Sequence, residues 1–207
     1  MGLVKLNDRG VRSATTFGSL SGGSMVFIKK LTASTSGTLD FVDGASDVVL
    51  DDTYKEYLFT FKNIHAGTDS GQFGFKGSVD TGSNYGIAKT TTFFNGLHFE
   101  GDGTARLGYE SGRDLAQGSG LQVMTVNQSD DADSASSGYL HIFNPSSTTF
   151  VKHFISRVAN MNTGANYGAQ DNFMAGYFNT TSAVDAIQFA MDSGNIDAGD
   201  ICLYGIN

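Results

Sequence analysis

Tyr54-Lys-Glu-Tyr-Leu-Phe-Thr-Phe-Lys-Asn-Ile64 is the stretch that decides the fold class. Tyr57, Phe59 and Phe61 alternate with Leu58, Thr60 and Lys62. A period of two places each set on one face of a β-strand. The same reading extends outward. Strand patterns are predicted at Met25–Leu31, Gly37–Val42, Gln72–Val79, Ile87–Phe99, Ala105–Tyr109, Leu121–Val126, Tyr139–Phe143, Phe150–Arg157, Asn172–Asn179, Val184–Met191 and Asp200–Ile206. Between them lie Gly, Ser, Asn and Asp, which supply the positive φ and the local hydrogen bonds of tight turns. The one proline, Pro145, falls in the loop between Phe143 and Phe150, where its missing N–H harms no ladder.

Composition agrees. Among 207 residues there are 27 Gly, 16 Phe, 8 Tyr and no Trp, and charged residues are only 16%. The chain is long enough to bury a core without metals or disulfides, and Cys202, the single cysteine, reads as a small core residue. Roughly ten strands and no helix predict an all-β fold, a two-sheet β-sandwich of jelly-roll type spanning 25–207. A closed barrel is the alternative. Residues 1–24 fit neither strand nor helix spacing and read as an extended N-terminal arm, either ordered on a partner or plainly disordered.

The formal charge of −8 argues against nucleic acid, whose phosphates need Lys and Arg. No run is long and apolar enough for a membrane span, and no secretory h-region opens the chain. The arm is different in sign. It carries Lys5, Arg9 and Arg12 against Asp8, a formal +2, which leaves −10 on the remainder. With Phe17, these basic residues make a candidate docking element for an acidic neighbour.

Candidate chemistry is sparse. The histidines His65, His98, His141 and His153 show no metal-ligand spacing. A hairpin turn centred on Ser146 and Ser147 would set His141 opposite Lys152 and send His141 and His153 to opposite faces. Neither Asp130–Asp133 nor Asp192–Asp200 matches a calcium loop. No Gly-x-Ser-x-Gly elbow and no phosphate-binding Gly loop occurs. The sequence therefore predicts no enzyme, no cofactor and no metal. Aromatics and acids on loops, Phe99, Tyr109, Asp130, Asp131 and Tyr167, form a candidate glycan-contact set.

Several runs resemble a family of virion structural proteins from tailed phages infecting marine bacteria, the cyanophage-like tail-appendage and capsid-surface proteins. They are Val4–Arg12, Ser24–Ser34, Tyr54–His65, Gly82–Tyr85 with Lys89–Phe94, Asp114–Gln117, Asn144–Phe154, Ala175–Asp185, Ser193–Gly199 and Tyr204–Ile206. The resemblance implies a β-sandwich made in the host cytoplasm and carried on the particle exterior, as capsid decoration, cement or tail-fibre subunit. It implies other virion proteins and further copies of the chain as partners, and it brings no catalytic residues. A lectin-like module that recognises host-surface glycan is the alternative function.

Overall fold

A computed structural model describes residues 24–163 and 167–207. The arm residues Lys5, Arg9, Arg12 and Phe17 lie outside the described residues. Twelve strands form two antiparallel sheets: β1 (Met25–Thr32), β2 (Leu39–Val42), β3 (Glu56–Ala66), β4 (Phe73–Ser78), β5 (Lys89–Phe99), β6 (Ala105–Tyr109), β7 (Gln122–Val123), β8 (Ser136–Phe143), β9 (Lys152–Asn162), β10 (Gly168–Phe178), β11 (Ala186–Met191) and β12 (Ile196–Ile206). The described residues contain no helix. The large sheet runs β1-β12-β3-β8-β9-β10-β5-β6 and the small one β2-β11-β4-β7.

The alternation read in β3 sets the core. Tyr57, Phe59 and Phe61 point inward and are buried. Phe189 of β11 meets Phe59 at 5.2 Å, Phe61 at 5.4 Å, Phe73 at 5.8 Å and Phe41 at 6.0 Å between ring centroids. This aromatic cluster joins the two sheets. Edge-to-face and offset pairs of this kind add to the area term of burial. A second group, Phe75, Phe154 and Phe178, continues the core under β9 and β10.

The four-strand run β9-β10-β5-β6 extends the large sheet beyond β8. The segment between β6 and β8 covers the inner face of this extension, and polar side chains fasten it. Asn160 Nδ2 donates to Val126 O at 3.2 Å, Thr91 Oγ1 to Gln122 Oε1 at 2.6 Å, and Leu115 N to Thr91 Oγ1 at 2.8 Å. Asn172 Nδ2 donates to Asn160 Oδ1 at 2.7 Å. Irregular backbone brought against a sheet carries donors and acceptors that need partners, so Asn, Gln and Thr replace Leu and Val here.

Two lysines are also interior. The register places Lys89 and Lys152 on either side of Phe178, and neither side chain is exposed. Lys89 Nζ donates to Ile87 O at 3.2 Å and lies 5.9 Å from the Phe178 ring centroid. Burial, with Lys76 nearby, pushes its ammonium down to about 8. Lys152 Nζ donates to Thr180 O at 3.1 Å, and burial lowers it too.

Three expectations need correction. Each of the twelve strands among the described residues overlaps a stretch read as strand, but β9, β10 and β12 run longer than the alternation suggested. His141 pairs with Ile155, not Lys152. His141 and His153 therefore share the outer face, where buried Ile142 and Phe154 mark the inner one. With His141 opposite Ile155, the β8–β9 connection centres on Thr148, later than a centre between Ser146 and Ser147. Cys202 is half-buried and pairs across to Lys30 and Thr60 on the outward row.

Candidate functional site

Outward-facing residues of β8, β9, β10, β5 and β6 fall into cross-strand rows. Tyr139, Arg157, Phe173, Phe94 and Tyr109 make one such row. Phe94 and Phe173 stack with ring centroids 4.9 Å apart and planes within 4°. That spacing is the distance between neighbouring strands, so the rings stand side by side like the backbones that carry them. Arg157 caps the stack, its guanidinium 4.8 Å from the Phe173 centroid. Asp171 fixes it from the next row with a bidentate pair, Nε to Oδ1 at 3.0 Å and Nη2 to Oδ2 at 2.6 Å. The hydrogen bond and charge of Asp171 hold Arg157 still more firmly protonated.

This row is a ridge between two recesses. The larger, about 1110 Å³, crosses from β8 to β6 over a floor of small residues, among them Gly96, Ala159 and Ala169. Tyr139, Arg157, Asp171, Leu107 and His98 rise around it. The smaller, about 410 Å³, lies on the other side between His153, Ile155, Tyr177 and Thr92. Leu107, Tyr109, Ile155 and Phe94 are exposed here. Exposed apolar side chains gathered on one sheet face mark a contact surface more often than single ones do.

Two of the titratable side chains at the recess have a partner of their own. Arg157 is paired with Asp171, and His98 Nε2 lies 3.0 Å from Asp102 Oδ1 on the solvent side. Among the described residues no group of three His, Cys, Asp or Glu is arranged to hold a metal ion.

The residues singled out from the sequence are partly assembled. Phe99, Asp131 and Tyr167 come to one end of the extension. Tyr167 O accepts from Glu100 N at 2.8 Å. Hydrogen bonds from Ser129 and then Tyr167 lower the Asp131 carboxyl, and the same contact raises the Tyr167 phenol. Asp130 is exposed beside them. Tyr109 is elsewhere. It pairs with Phe94, five residues along β5 from Phe99, which is about 17 Å at the rise of a strand. Its hydroxyl donates to Asp114. Sequence reasoning passed over Arg157, Asp171, Phe173 and Phe94, although Arg157, Phe173 and Phe94 all lie in stretches read as strand.

No family model matches this chain, and neither a curated protein nor a solved structure shows significant similarity to it.

Proposed function

We propose that this chain is a non-enzymatic virion structural protein of a tailed bacteriophage, carried on the particle exterior as a capsid decoration or tail-fibre-like subunit. The strand order carries the reading. Eight strands divide four to a sheet, β1-β12-β3-β8 against β2-β11-β4-β7, with β5-β6 and β9-β10 added at the side of the larger sheet. That order supports a jelly-roll reading, two Greek keys folded into a double sheet of the kind capsid and lectin domains use. In this account the basic arm 1–24 docks on an acidic neighbouring subunit. The exposed ridge and the strand edges supply repeated contacts between copies. Immunogold labelling of purified particles with antibody against residues 25–207 tests it. Regular labelling of intact particles is the expected result, and particles free of the protein would refute it.

The open recess favours a second reading, a lectin-like module for host-surface glycan. Its polar rim of Arg157, Asp171 and His98 beside aromatic edges offers hydrogen bonds and apolar contact together. A glycan array probed with the purified protein separates the two, since binding lost on Arg157→Ala supports the module and an array without signal removes it.

A further inference from the structure

We propose that β6 is a self-pairing edge, through which two copies of this chain join their large sheets across a two-fold axis at Leu107. The hydrogen bonds at either end of β6 fix which of its backbone groups are left unpaired among the described residues. Glu110 N donates to Phe93 O at 2.9 Å and Phe99 N donates to Thr104 O at 3.0 Å. In an antiparallel ladder, bonded pairs recur every second residue. Thr104, Arg106, Gly108 and Glu110 therefore turn their N–H and C=O groups toward β5. Ala105, Leu107 and Tyr109 turn theirs outward, away from the sheet, because β6 is the last strand. The edge has no proline, and Leu107 on it is 76% exposed. β6 is short and carries Arg106, two usual protections of an edge, yet it still presents three donors and three acceptors in register.

A second copy is the partner that the sequence of the strand fits. With Leu107 opposite its own symmetry mate, Ala105 faces Tyr109 and Arg106 faces Gly108. Small lies opposite large at each flanking position, and no two like charges are directly opposed. Arg106 lies diagonally across from both Glu110 and Arg106 of the second copy, and Glu110, which already pairs with Arg106 in its own chain, offsets the like charge. A two-fold contact of this kind is closed, so it gives dimers rather than fibres. The outward rows continue across it: Leu107 meets Leu107, and the stack of Phe173 and Phe94 reaches the axis through Tyr109. One short strand pair is small beside specific interfaces of about 1,200–2,000 Å². The isolated dimer is accordingly concentration-dependent, and repetition on a particle would strengthen it by effective concentration. The pairing deepens the copy-to-copy contact in the proposed function. Its test uses purified protein, so it and particle incorporation can fail separately.

Sedimentation equilibrium of the full chain over a hundredfold concentration range tests the pairing. The expected mass rises from monomer toward dimer. Leu107→Pro removes the one central edge donor without touching the β5–β6 ladder, and it should hold the protein at monomer mass with an unchanged circular dichroism spectrum. Leu107→Lys places two ammoniums across the axis and should do the same, which decides the matter should the proline variant fold poorly. Wild-type protein that stays monomeric at the highest concentration overturns the proposal, and so does a folded Leu107 variant that dimerises as well as wild type.

Discussion

Replacing Lys89 by Met should make this protein more stable at neutral pH. Lys89 is fully buried at the start of β5, with one carbonyl and one aromatic ring for company. Its ammonium is pushed from 10.5 down to about 8. At 1.36 kcal/mol per pH unit, keeping the buried amine charged costs about 3 kcal/mol. The sign follows from proton binding. Below about pH 8 both folded and unfolded chains hold the proton; between there and the unfolded value the unfolded chain holds more, so stability rises with pH. Integrated from about pH 7 to about pH 9.5, the gain is about 2 kcal/mol. Lys152 is lowered in the same direction and adds to the rise. The window closes near pH 10, because burial raises the phenols of Tyr57 and Tyr85, and the unfolded chain then ionises first. Methionine matches the lysine stem in length and flexibility without the charge. Urea denaturation followed by circular dichroism should therefore show wild-type stability climbing across this range. Lys89→Met should start about 1–3 kcal/mol higher at neutral pH and climb less. A flat wild-type profile, or a methionine variant less stable than wild type at pH 7, would refute the reasoning.

Other outcomes follow from packing and backbone geometry. Phe189→Ala empties the contact between four other rings and should cost about 3–5 kcal/mol in the same assay. Gly199 sits at φ +119° in a bulge of β12, where an added Cβ would lie 2.5 Å from Asn63 O. Gly199→Ala should thus lose at least about 2 kcal/mol. Arg157→Ala should leave the urea midpoint close to that of wild type, since its pair with Asp171 is half open to solvent. Deleting residues 1–24 should leave the melting temperature of the sandwich intact and abolish incorporation into particles; a truncated chain that still assembles would remove the arm from the account.

Reading the sequence worked where the inner face is apolar. In β3 the alternation of Tyr57, Phe59 and Phe61 gave strand, face and core together. It failed where the inner face is polar. Asn160, Asn162, Gln170 and Asn172 are buried while Ala159 and Ala169 are exposed. The usual pattern is inverted there, because these side chains bond the covering segment and one another, as Asn160 does to Val126 O and Asn162 to Gln170. That inversion hid the far halves of β9 and β10, and with them Asp171 and the Ala159 and Ala169 floor of the recess. The pairing partners of Phe173 and Arg157 depend on registers set across three strands, which no local period reports. The histidine register failed for a related reason: the turn after β8 is asymmetric, and a shift by an odd number of residues flips a side chain to the other face.

Cryo-electron microscopy of purified particles tests the central claim most directly. The account predicts external density into which the double sheet fits, with residues 1–24 running into a neighbouring subunit. Particles whose outer density leaves no place for the double sheet would contradict it.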